Sequence, residues 1–110
     1  MWNTPNKQQL SEIPKLYANE HIPLQEAVVH LHFFSSGSDW FITEFDGKET
    51  FFGYALLGGD YINAEWGYIN FNEMKAINVK GMEIDCDLYW QKRPACEVNK
   101  IVKGCGWETQ

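Results

Sequence analysis

The sequence predicts an α+β fold, a single domain in which an antiparallel sheet of four to five strands, opening with an N-terminal meander, is packed by short helices. Three observations carry this. Aromatic and β-branched residues alternate with period two between residues 28 and 56, and the intervening turns are too short for parallel crossovers. The stretch Glu65-Trp66-Gly67-Tyr68-Ile69-Asn70 then runs directly into a helix start, because Asn70 followed three residues later by Glu73 is an Asn variant of the capping box. The 110 residues are 45% hydrophobic and 15% aromatic, enough to bury a core without disulfides or a structural metal.

Taken in order, Thr4 before Pro5 reads as an N-cap with proline at the first helical position, opening a helix that runs to about Glu12 and is stopped by Pro14. Ile13, Leu16 and Tyr17 anchor this segment, and Asn19 to Gln25 is a loop. Val28 to Phe34 is the first strand, with Val29, Leu31 and Phe33 on one face and Val28, His30 and His32 on the other. After a turn from Ser35 to Asp39, Trp40 to Phe45 is the second strand. Asp46-Gly47 signals a hairpin, and Phe51 to Leu56 is the third strand.

Gly58-Gly59-Asp60 begins a loop that leads into the strand before Asn70. In the helix that follows, Phe71, Met74 and Ile77 share a face, and Asn78 or Gly81 suits its exit. Ile84, Cys86, Leu88 and Trp90 or, in the other register, Asp85, Asp87 and Tyr89 alternate as a final strand that Pro94 ends. Ala95 to Val102 reads as a short helix and Gly104 to Gln110 as a loose tail. The chain accordingly divides into a helical extension (1–11), the α+β domain (12–98) and a C-terminal tail (99–110).

The net charge of −6 is concentrated in the middle of the chain. Between residues 33 and 74, Asp39, Glu44, Asp46, Glu49, Asp60, Glu65 and Glu73 face Lys48 alone, while the flanks nearly cancel. Such a block aids solubility and steers basic partners, and it argues against direct nucleic-acid binding, which needs a cationic path. Cys86, Cys96 and Cys105 are odd in number and form no CxxC pair, so reduced thiols are expected, with Cys105 the most exposed. The longest apolar runs are far shorter than the roughly 20 residues of a membrane span. With no signal-peptide profile at the N-terminus, the expected location is the cytoplasm.

Ile13-Pro14-Lys15-Leu16-Tyr17, Val29-His30 with Phe33-Phe34, Trp40 to Phe45, Phe52-Gly53-Tyr54, Glu65-Trp66-Gly67-Tyr68 and Asp87-Leu88-Tyr89 occur in an order and spacing that resembles the domain of unknown function 2958 family. The resemblance covers roughly residues 12–98 and implies a small protein of phages, plasmids and other mobile elements. It implies no catalytic residues.

Nucleophile elbows, phosphate loops, HExxH and paired CxxC motifs are lacking, so neither an enzyme nor a cofactor is expected. The main expectation is a non-enzymatic protein that binds a host protein through an acidic, aromatic-containing surface made of Asp39, Trp40, Glu44, Asp46, Glu49, Asp60, Glu65 and Trp66. There the acids would imitate phosphates against a basic, nucleic-acid-binding surface, with Trp40 and Trp66 as anchors. An inhibitor of a host-defence nuclease complex, in the anti-CRISPR or anti-restriction sense, is the specific form of this reading. One alternative is a metal-dependent enzyme or metal-binding protein using His30 and His32, two apart on a strand, with Cys86, Glu44 or Asp87 as a third ligand. Another is a structural or regulatory subunit of a mobile-element complex.

Overall fold

The computed structural model describes residues 4–76, 78–79 and 82–107. In chain order its elements are α1 (Lys7–Ser11), β1 (Val28–Val29), β2 (Leu31–Ser35), β3 (Ser38–Phe45), β4 (Thr50–Leu56), β5 (Glu65–Asn70), α2 (Phe71–Ala76), β6 (Asn78–Val79), β7 (Met82–Glu83), β8 (Asp85–Cys86), β9 (Arg93–Pro94) and α3 (Asn99–Cys105). Short 3-10 turns occupy Leu24–Glu26 and Ala95–Glu97. The main sheet has the strand order β5-β4-β3-β2-β8, with every neighbouring pair antiparallel. The α+β class and the five-stranded sheet agree with the sequence expectation, and the meander extends to a fourth strand, β5.

The sheet separates two cores. Leu31, Phe33, Trp40, Ile42, Phe45, Phe51 and Ile69 turn to the first, where they meet Ile13, Met74 and Ile84. Phe41, Tyr54 and Leu56 turn to the second, which Ala95, Val98 and Ile101 cover. Burying each large apolar side chain stabilises the fold by roughly 1.5–3 kcal/mol. With both faces covered, seven of the eight residues of β3 are buried.

A β-bulge in β3 decides which of its residues enters which core. Ile42 stands opposite Gly53 and Glu44 opposite Phe52, leaving Thr43 as the extra residue. Simple alternation would send Glu44 into the first core behind Trp40 and Ile42. The bulge instead turns Glu44 to the second face and returns Phe45 to the first, where it packs on Phe51 at 4.7 Å. The Thr43 hydroxyl donates to the Phe52 carbonyl at 3.1 Å. Beside the bulge the strands approach so closely that a β-carbon on Gly53 would lie 2.0 Å from the Phe41 carbonyl oxygen.

Several local expectations are corrected. The first helix is capped by Asn6 rather than Thr4: Asn6 Oδ1 accepts the Gln9 N–H and Gln9 Oε1 accepts the Asn6 N–H, both at 2.8 Å, a complete capping box. The first strand breaks at His30, whose N–H donates to Ile42, because β1 pairs with β9 while β2 pairs with β3. Val29 therefore faces the second core and Leu31 and Phe33 the first, so the three do not share a face. At α2 the expected cap is present, with Asn70 Oδ1 accepting the Glu73 N–H at 2.9 Å; Ile77 and Gly81 lie outside the described residues.

The expected last strand stops at Cys86. Asp87 accepts the Tyr89 N–H through its side chain, and this Asx turn leaves Leu88 and Tyr89 exposed. The loose tail is helical through Cys105, since Val98, Ile101 and Cys105 recur at helical spacing against the second core. Gly104 brings α3 onto the Tyr54 ring, and Gly106 ends the helix in the left-handed region, with φ 71°. Cys105 is half-buried, and Cys96 is the exposed thiol. Among the described residues no helix is long and apolar enough to cross a membrane.

Gly53→Ala will destabilise the protein by about 1–3 kcal/mol or more, because the added methyl meets backbone rather than a movable side chain. Urea denaturation compared with Gly67→Ala, where no atom of the described residues lies within 4 Å of the added carbon, measures this; equal midpoints would show that the strands separate freely at Gly53.

Candidate binding site

The eight residues expected to form one acidic surface fall in five places. Trp40 is in the first core, and Asp39 and Glu44 are 3% and 5% exposed. Asp46 and Glu49 lie in the turn between β3 and β4, at the end of the sheet opposite Asp60 and Glu65. The five residue steps from Thr50 to Ala55 separate these ends by about 17 Å. Asp46 and Asp60 also serve their own turns: Asp46 Oδ1 accepts the backbone N–H groups of Thr50, Lys48 and Glu49, and Asp60 is engaged by Asn63 and Ile62. These hydrogen bonds hold both carboxyls below their ordinary range.

The structure instead assembles an aromatic groove on the second face. β4 and β5 place Phe52 opposite Tyr68 and Tyr54 opposite Trp66, all on one side of the sheet. The rings make a continuous series: Tyr17 to Tyr68 at 6.4 Å, Tyr68 to Phe52 at 5.4 Å, Phe52 to Trp66 at 6.2 Å, and Trp66 to Trp107 at 6.5 Å. Tyr17 and Tyr68 are 60% and 58% exposed. Of these rings Tyr17, Phe52 and Tyr68 line a cavity of about 240 Å³, together with Glu20, Ile22, Thr43 and Glu44.

Glu44 shapes this groove. Its Oε1 accepts the Tyr17 N–H and its Oε2 the Asn19 N–H, each at 2.9 Å. That clamp holds Tyr17 at φ 70°, a left-handed conformation unusual for a tyrosine, and sets its ring against Tyr68. A hydrogen bond with Tyr17 and desolvation raise the Tyr68 phenol above its ordinary value, and Glu44 and Glu20 push in the same direction. Of the expected residues, the groove takes Glu44 and Trp66 and adds Tyr17, Glu20, Phe52 and Tyr68. The sequence signal for Phe52 and Tyr68 is the match of Phe52-x-Tyr54 to Trp66-x-Tyr68 on neighbouring strands; Tyr17 and Glu20 have none.

A second polar arrangement lies across the same face. His32 Nε2 meets Asp39 Oδ1 at 2.7 Å and its Nδ1 meets Asp87 Oδ2 at 3.0 Å, while Lys100 Nζ donates to Asp39 Oδ2 at 2.8 Å. The ring stacks on Phe41 at 4.7 Å and 7°, and Arg93 lies 3.9 Å over the neighbouring Trp90. The network joins β2, β3, the turn after β8 and α3. Burial by itself would raise the Asp39 carboxyl, but the hydrogen bonds from His32 and Lys100 outweigh it and hold the carboxyl below its ordinary value.

His30 and His32 face different partners. His30 lies near Lys92 and Glu12, which pair with each other; burial first, and then Lys92, pushes its imidazole below the ordinary value. Cys86 is buried, its thiol pushed up to about 11 by that burial and then by Asp87 and Asp85. Among the described residues no group of three or more His, Cys, Asp or Glu side chains could hold a metal ion.

A family model, described as a protein of unknown function (DUF2958), matches residues 4–99. The match begins ahead of α1 and takes in the whole sheet, a longer span than the one that carried the resemblance in the sequence. No curated protein and no solved structure matches the chain.

Asp39→Ala will lower stability at pH 7 on the order of 2 kcal/mol, since it removes the carboxylate that meets His32 Nε2 and Lys100 Nζ. Because the folded carboxyl titrates below its ordinary value of 3.8, its contribution is present above that pH and is lost as the pH falls through the folded value. The gap between wild type and variant in urea denaturation will therefore close in acid. His30 carries the opposite charge type: its neutral form is favoured on folding, so stability declines as the pH falls through its ordinary value of 6.5. His30→Leu will flatten the stability profile between about pH 7 and 5; an unchanged slope would remove His30 as its source.

Proposed function

Because the chain belongs to the DUF2958 family, whose description assigns no activity, we infer its function from the site itself: it is a non-enzymatic binding domain whose aromatic groove holds a basic segment of a partner protein. The observation that carries this reading is the convergence of Tyr17, Phe52 and Tyr68 with Glu20 and Glu44 around one partly exposed cavity, with Trp66 stacked on Phe52 beside it. An Arg or Lys side chain over an aromatic face gains about 0.5–2 kcal/mol, more as the site loses water. Nearby carboxylates favour the same cation, and the chain's charge of −6 steers it in.

The partner class in this proposal is a host protein with a basic, nucleic-acid-binding surface, met in the cytoplasm, such as a component of a host-defence nuclease complex. The acidity and the aromatic anchors support that choice. A continuous phosphate-mimicking array is not the proposed mode, because the acids at the two ends of the sheet lie too far apart and three of the eight expected residues are buried.

The test is affinity capture at low and high salt with three proteins: wild type, Tyr17→Ala/Tyr68→Ala and Glu49→Lys. The two tyrosines are exposed, so the double variant keeps its core. The expected outcome is one partner retained by wild type and by Glu49→Lys at low salt, depleted at high salt, and bound at least about tenfold more weakly by the double variant, a loss of about 1.4 kcal/mol. Undiminished capture by the double variant would refute the groove.

A further inference from the structure

We propose that the partner's segment docks as an extended strand on the outer edge of β5, with alternate side chains, Arg or Lys among them, reaching the aromatic groove. This rests on the groove reading above and specifies how the groove is filled. β5 ends the main sheet, and among the described residues it pairs only with β4. Its register shows which backbone groups are available. The Phe71 N–H donates to the Glu49 carbonyl at 2.6 Å, one step beyond the Asn70–Thr50 pair. Bonded and non-bonded positions alternate in an antiparallel ladder. Ile69, Gly67 and Glu65 therefore bond inward to β4, and Trp66 and Tyr68 present their N–H and C=O groups outward.

Tyr68 thus belongs to both features, its ring to the groove and its backbone to the edge. On the opposite face of the strand, no atom of the described residues lies within 4 Å of where a β-carbon on Gly67 would stand, so the face beside the edge is open there. Protected edges carry lysine, proline or a bulge; from Trp66 to Asn70 this one has none. Strand addition supplies backbone hydrogen bonds for affinity and alternate side-chain pockets for specificity. Charge selects the occupant. Glu20, Glu44 and Glu65 favour a cationic strand, whereas a second copy of this chain would set Glu65 and a net charge of −6 against their equals.

The probe is the acetylated and amidated peptide Arg-Val-Arg-Val-Arg-Val-Arg, titrated into the full chain by calorimetry beside the same peptide methylated on its internal backbone nitrogens. Charge and side chains are then identical, and only the capacity to pair differs. Methylation is expected to weaken binding about tenfold, the scale of two lost backbone hydrogen bonds. Tyr68→Pro, which removes an outward N–H tolerably at an edge, will bind the parent peptide more weakly than Tyr68→Ala. Equal binding of the two peptides would overturn strand addition and leave the groove reading intact. Absence of binding by both would overturn both readings. A dimer in sedimentation that Tyr68→Pro dissolves would assign the edge to a second copy and overturn the proposal. If Tyr68→Pro does not fold, the peptide comparison on wild type decides.

Discussion

One unpaired residue, Thr43, sets the side of the central strand from which every later feature follows. A strand buried on both faces has no solvent side to which a carboxylate can escape, and an ionised group left in an apolar core is costly unless paired. By inserting Thr43, β3 turns Glu44 away from Trp40 and Ile42 and brings Phe45 back against Phe51. The turned carboxylate has both oxygens filled by the backbone of Tyr17 and Asn19. The bulge, the N-terminal loop and the groove are thus linked through this one carboxylate.

The other buried carboxylate works the same way at the far end of the strand. Asp39 is accommodated because His32 and Lys100 fill its oxygens, and through them it draws α3 to the sheet. Val98 and Ile101 then bury the second core. A buried ionic network seldom adds much net stability over an apolar replacement, though losing one member is costly. Its contribution here is placement: β2, β3, the turn after Cys86 and α3 meet at one ring.

These two sites change the meaning of the acidic middle block. Of its seven carboxylates, two are buried fasteners and two, Asp46 and Asp60, order their own turns. In the proposed function the charge acts as a diffuse field, and specificity is assigned to aromatic rings that two neighbouring strands hold in register. That division is the basis for proposing that the domain binds through this groove and the outer edge of β5.

The sequence by itself determined what depends on neighbours along the chain. Alternation between Val28 and Leu56, the Asp46-Gly47 hairpin and the Asn70 cap are local, and so the class, the meander and the passage from β5 to α2 were legible. So was the family, through ordered fragments such as Phe52-Gly53-Tyr54. Tertiary structure alone decided what depends on partners far away in sequence. Nothing near Glu44 says that it will meet Tyr17, and nothing near Asp39 announces Lys100, because hydrogen bonds across 27 and 61 positions leave no periodic trace. The bulge has no signature in Ile42-Thr43-Glu44, and a one-residue shift there reverses every face beyond it. The helix of the C-terminal segment was missed in part for a related reason: Gly104 and Gly106 look like loop residues until the Tyr54 ring and a helix end are seen to require them.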